Sequence, residues 1–110
     1  MLMKEYNILK GLNHPNLIKL YSLLNFSNYL IMSLKLCRES VYDFQERRLR
    51  DGHPLNDLEC SQIACGLIRG LQYMHDEKNL IHRDLKRMNV LVSNYKDLTQ
   101  CKIIDFGLAS

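Results

Sequence analysis

Apolar residues recur along this chain with two different periods, and the changes of period mark out the elements. Leu2, Tyr6, Leu9 and Leu12 fall near one face at helical spacing, and Asn13-His14-Pro15 ends that helix. Two strand-like runs follow, Leu17 to Leu24 and Tyr29 to Leu34, separated by a polar turn from Asn25 to Asn28. Ser40 to Arg50 predicts a short helix opened by a capping box of Ser40 with Asp43, with Val41, Phe44 and Leu49 facing inward. Gly52 and Pro54 break the chain, and a second box, Asn56 with Glu59, opens the longest helix, Asp57 to His75. Ile63, Leu67, Leu71 and Met74 line one face of it, which Ala64, Ile68 and Tyr73 widen.

The last third carries the chemistry. Val90-Leu91-Val92 and Lys102-Ile103-Ile104 are short apolar, β-branched runs separated by a polar stretch from Asn94 to Gln100, a pattern that predicts a hairpin. Each run adjoins a polar constellation. His82-Arg83-Asp84-Leu85-Lys86-Arg87-Met88-Asn89 precedes the first, and Asp105-Phe106-Gly107 follows the second. Phosphoryl transfer needs such an arrangement: one carboxylate to orient a hydroxyl, and an amide and a second carboxylate to hold Mg²⁺ against phosphate oxygens.

Composition narrows the class. A chain of 110 residues, 46% hydrophobic and 25% charged, is a single-domain length with the balance of a globular protein. Its net charge of +3 is too slight and too scattered to indicate nucleic-acid binding. Arg47-Arg48-Leu49-Arg50 reads as a solvated helix end, where cations interact well with the helix dipole. Cys37, Cys60, Cys65 and Cys101 show neither a C-x-x-C pair nor metal-site spacing and read as free thiols in a reducing compartment. No apolar run approaches membrane-spanning length and no secretory leader is present, so no membrane association is expected and cytoplasm or nucleus is the default location.

The two constellations together resemble the eukaryotic protein kinase domain, matching its catalytic-loop pattern H-R-D-L-x-x-x-N and its metal-binding D-F-G. The resemblance implies an α+β, protein-kinase-like fold that is partial: residues 1–34 as an N-lobe remnant, 35–37 as the hinge, and 38–110 as the C-lobe up to the D-F-G motif. It implies Asp84 as the catalytic carboxylate and Lys86 as the cation beside the transferring phosphate, the latter favouring serine/threonine over tyrosine acceptors. Asn89 and Asp105 would hold Mg²⁺ and with it ATP. Leu34 would be the gatekeeper, the backbone of Lys35, Leu36 and Cys37 would meet the adenine edge, and Leu91 would lie under the ring. His82 would be a buried structural histidine near Phe106, and Arg83 matches the arginine that pairs with a phosphate on the activation segment. Glu5 matches the glutamate that pairs with an ATP-anchoring lysine, its alternative being a solvated helix residue. Two departures stand out: Lys35 where the family commonly has an acidic residue, and Arg87 in place of a common proline.

The 110 residues contain neither the family's glycine-rich loop nor its strand-three lysine, nor the A-P-E motif and later helices. The implied function is therefore ATP-dependent phosphorylation of serine or threonine in a protein substrate by a longer kinase carrying this segment. The alternative is a non-catalytic module that pairs with kinase-fold partners, or an inactive truncated product. The long helix would bury its apolar face against the missing helices, so the isolated segment is expected to associate or fold poorly. Light scattering combined with a thermal melt checks this: a monomer with a cooperative transition is the contrary result.

Overall fold

The computed structural model describes residues 7, 8, 10–26, 29–34, 37–105, 109 and 110, with residues 20–26 and 29–34 described as backbone. Leu2, Glu5, Tyr6 and Leu9 of the expected first helix lie outside the described residues, as do Lys35, Leu36 and Phe106 to Leu108. Two strands, β1 (Leu20–Phe26) and β2 (Tyr29–Leu34), pair antiparallel. Next come β3 (Glu39–Ser40), α1 (Val41–Arg50), α2 (Asp57–Lys78), a 3₁₀ turn (Arg87–Asn89), β4 (Val90–Val92), a second 3₁₀ turn (Leu98–Gln100) and β5 (Lys102–Ile103). β3, β4 and β5 form one antiparallel sheet in that spatial order. The expected hairpin is therefore present, with Val90 opposite Ile103 and Leu91 opposite Lys102.

The first strand begins later than its apolar run suggests. Leu17 makes a parallel bridge to Ile103, and Ile18 N donates to Ile103 O at 3.0 Å. The backbone of residues 16–18 thus pairs with β5 instead of β2, and Leu17 and Ile18 are buried in the core. They pack with Leu12, Met74, Ile103 and Ala109; a second cluster gathers Val41, Phe44, Ile63, Val90, Val92, Leu98 and Cys101. Leu67 of α2 touches both clusters and joins them.

Helix ends follow the local chemistry. Ser40 Oγ accepts from Asp43 N, which is half of the expected box. Asn56 and Glu59 form the full reciprocal box. α2 runs on to Lys78, where Asn79 ends it in the left-handed region at φ 54°. Arg48 clasps Glu59 through two bonds of 2.7 and 2.9 Å, fastening the end of α1 to the start of α2. Leu49, Ala64 and Ile68 face outward, contrary to the periodicity. The buried stripe of α2 is instead Ile63, Gly66, Gly70 and Met74, because two glycines admit the segment around Asn16 and β5 against the helix backbone.

Asn16 is the side chain so admitted. It is 3% exposed, and its Nδ2 donates to Thr99 O at 2.7 Å and Cys101 O at 2.9 Å. Its own carbonyl accepts from Ile103 N at 2.9 Å. A Cβ on Gly66 would lie 2.6 Å from Thr99 O and 2.7 Å from Cys101 Sγ, whereas one on Gly70 would meet nothing nearer than Ile103 Cδ1 at 3.1 Å. Alanine gains about 1 kcal/mol of helix propensity over glycine, while overpacking costs about 1–3 kcal/mol. Gly66→Ala should therefore lower the melting temperature, and Gly70→Ala should lower it less or leave it unchanged, as read by parallel thermal melts.

His14 Nδ1 accepts from Asn16 N at 3.0 Å, and the ring rests on Tyr73 at 5.0 Å between centroids. Burial, then the nearby charges of Lys102 and Arg69, hold this imidazole below its ordinary value of 6.5. The unfolded chain therefore takes up a proton before the folded chain does. Stability from this residue is complete above pH 6.5 and is lost as pH falls from there toward the lower folded value. Denaturant melts between about pH 7.5 and about pH 5.5 should show the decline, and His14→Gln should flatten that part of the profile.

Candidate active site

The loop between α2 and β4 is tied at its start by a buried histidine. His82 is 2% exposed; its Nε2 lies 2.8 Å from Ile104 O, and its Nδ1 accepts from Asp84 N at 3.2 Å. These two bonds fix the tautomer, with the proton on Nε2 donated to the Ile104 carbonyl. Asn89, 6% exposed, closes the loop from its other end. Its Nδ2 donates to Asp84 O at 2.8 Å and approaches Asp84 Oδ2 at 3.5 Å, and its carbonyl accepts from Ile104 N at 2.9 Å. His82, Asp84, Asn89 and Ile104 thus form one closed circuit of hydrogen bonds. A circuit of this kind restricts the rotamers open to its side chains.

On this ring stand the predicted site residues. The Asp84 carboxylate is partly open to solvent, and Lys86 Nζ approaches its Oδ1 at 3.9 Å. Asn89 has spent its amide N–H on Asp84, which leaves Oδ1 as its remaining acceptor. Asp105 follows Ile104 directly and is exposed, so the backbone bond from Ile104 N to Asn89 O places it one residue beyond the contact with Asn89. Arg83 and Asp105 both occupy the left-handed region, at φ 72° and 62°. Non-glycine residues enter it at a cost and do so disproportionately at functional sites. Arg83 Nε donates to Ser110 Oγ at 2.6 Å, and Ile81 and Ser110 exchange two backbone bonds, so the chain beyond Asp105 returns to the loop.

The adenine-side residues are placed in part. Leu34 ends β2, paired with Leu20. Lys35 and Leu36 lie outside the described residues; Cys37 is half-buried against the first core cluster. Arg38 N donates to Val92 O at 2.8 Å, which lays the end of this crossing segment beside β4. Leu91 is half-buried between buried Val90 and Val92, so the pleat turns it to the opposite sheet face from theirs.

Among the described residues no three His, Cys, Asp or Glu side chains gather into a metal centre. A donor set of one amide oxygen and one carboxylate suits Mg²⁺, a hard cation that takes few protein ligands and fills its octahedron with water and phosphate oxygens. Shallow hollows elsewhere, one lined by His14, Arg69, Tyr73 and Glu77 and one by Phe44, Arg47, Glu59 and Tyr95, contain no residue of the Asp84 loop. Cys101 is sealed in the core, where burial pushes its thiol up to about 11. A thiol held protonated in this way is no nucleophile. No described helix is long and apolar enough to cross a membrane.

Sequence reasoning singled out the acidic and amide residues of the loop but not Asn16, whose role depends on contacts across 83 and 85 residues. Nor did it find that Ile104 links His82 to Asn89 through both of its backbone groups. No side-chain signal marks a backbone contact of that sort.

The family model for the protein kinase domain matches residues 1–110, the whole chain. The chain is 35% identical over 108 residues to the serine/threonine-protein kinase polo of Drosophila melanogaster, covering 97% of this chain and 17% of that protein. It is 35% identical over 109 residues to calcium-dependent protein kinase 5 of Plasmodium berghei, covering 99% of this chain and 19% of that protein. The crystal structure of the yeast RNA Pol II CTD kinase complex CTDK-1 contains a chain that superposes with a TM-score of 0.81 at 26% identity, over 99% of this chain and 34% of that one. The segment thus spans less than a fifth of either curated relative. With a hydrogen-bonded Asp84-Lys86-Asn89 loop set against Asp105, and with the whole of its length matched, the chain belongs to the protein kinase family.

Proposed function

We propose that this chain forms the catalytic-loop and metal-binding part of a serine/threonine protein kinase, which transfers the γ-phosphoryl group of Mg-ATP to a protein hydroxyl. One observation carries the reading: the hydrogen-bond circuit that links Asp84, Asn89 and the residue preceding Asp105. When bound, Mg-ATP supplies the phosphoryl donor and the cationic charge that offsets its phosphates. Asp84 accepts the hydrogen bond of the incoming serine or threonine hydroxyl and takes its proton as the oxygen attacks. Lys86, beside that carboxylate, sets a positive charge where negative charge spreads over the transferring group. Asn89 Oδ1 and the Asp105 carboxylate would hold Mg²⁺, and Leu91 with the 34–37 segment would receive the adenine.

Lys86 and the similarity to polo and to other serine/threonine kinases support the choice of acceptor. The test uses the longest natural product that carries this segment. Asp84→Asn keeps the side-chain shape and removes the base, so kcat should fall about 10²- to 10⁴-fold while nucleotide affinity, measured by fluorescence titration, stays near wild type. Phosphate transfer that survives the substitution overturns the assignment of Asp84. A wild-type protein that transfers no phosphate to any serine or threonine substrate favours the non-catalytic binding module instead.

A further inference from the structure

Arg87 occupies the first position of the 3₁₀ turn that carries Asn89, and its side chain reaches away from the site to α1. The guanidinium lies 4.9 Å from the centroid of the Tyr42 ring, and Nη1 donates to Gln45 Oε1 at 2.6 Å. Tyr42 and Gln45 lie one turn apart on α1, so one guanidinium reaches both the ring and the amide oxygen. Among the described residues it has no carboxylate within ion-pair distance. The contact therefore consists of a cation over a ring and a directed hydrogen bond, without an ion pair.

We propose that Arg87 is a positioning residue: its tether to Tyr42 and Gln45 holds the 3₁₀ turn in register with α1 and so fixes Asn89, the amide that reaches Asp84. The turn itself is slight. It is closed by Asn89 N to Lys86 O at 2.9 Å and by Val90 N to Arg87 O. A turn of three residues with two internal bonds opens easily, and a second attachment to a helix raises the cost of opening. The tether does from the side chain what restricted backbone torsions would do from the main chain. The inference deepens the kinase reading by naming what holds one of its site residues in place, and it rests on that reading only for the activity measurement.

The backbone supplies a decisive variant. The bonds that close the turn do not use the Arg87 N–H, and Lys86 is extended at φ −154°, ψ 166°, close to the conformation a residue before proline adopts. Arg87→Pro therefore restricts the turn without the tether, while Arg87→Ala removes the tether and restricts nothing.

Hydrogen exchange of the Asn89 and Val90 amides is the primary readout, on the longest natural product carrying the segment. A cation over a ring and one hydrogen bond of this kind together shift an opening equilibrium about tenfold, equivalent to about 1.4 kcal/mol. Arg87→Ala should speed exchange at both amides about tenfold while amides inside α2 keep wild-type protection. Tyr42→Ala should reproduce most of the change, the double variant should add little, and Arg87→Pro should restore protection. In transfer assays Arg87→Ala should lower kcat and leave KM for the protein substrate unchanged, with Arg87→Pro recovering kcat. Wild-type exchange in Arg87→Ala overturns the proposal. So does a raised KM with intact kcat that Arg87→Pro does not rescue, since Arg87 would then contact the substrate. A wild-type protein without transfer activity overturns the kinase reading alone, and the exchange rates still decide the role of Arg87.

Discussion

The buried amide of Asn16 is the contact on which the rest of the structure depends. A carboxamide taken out of water must find partners, or it costs about 1–3 kcal/mol for each group left unsatisfied. Here it finds the carbonyls of Thr99 and Cys101, the residues that lead into β5. The backbone on either side continues the attachment, with Asn16 O taking Ile103 N and Ile18 N giving to Ile103 O. The segment before β1 is thereby welded to the strand that delivers Asp105. Gly66 and Gly70 are the condition for this, since side chains there would occupy the space that Asn16, Thr99 and Ile103 fill.

From β5 the order passes to the site through Ile104. Its carbonyl receives the His82 ring and its N–H gives to Asn89, so the hairpin and the loop share a single residue. His82 and Asn89 are both buried, and their positions are set by the core as much as by the loop sequence. Stability and site geometry are consequently coupled: a change that shifts β5 relative to α2 also shifts the carboxylates. The two left-handed residues, Arg83 and Asp105, flank this circuit, and the surrounding bonds hold the backbone strain that an isolated loop would release.

Asp84 and Lys86 remain partly open to solvent above a buried base. That division leaves the carboxylate and the ammonium open to solvent while the groups beneath them are held by the core. α1 contributes from the side, through Arg48 and Glu59 to α2 and through Tyr42 and Gln45 to the 3₁₀ turn. The loop is thus braced by elements on more than one flank.

By itself the sequence determined the two helices with their N-caps and the hairpin of β4 and β5, and it singled out Asp84, Lys86, Asn89 and Asp105 as candidates. Each of these rests on residues close together in the chain, where periodicity, capping chemistry and a short motif act directly. Tertiary structure decided the rest. Ala64 and Ile68 have the right spacing to be buried, yet the face of α2 that packs is the one with Gly66 and Gly70, because the closeness of approach to Asn16 and β5 selects it. Leu17 and Ile18 read as the start of a strand in β1, but their backbone groups are taken by Ile103, a partner far along the chain. Asn16 gave no local signal because its two acceptors are main-chain carbonyls, which every residue possesses. Only the fold selects which of them it meets.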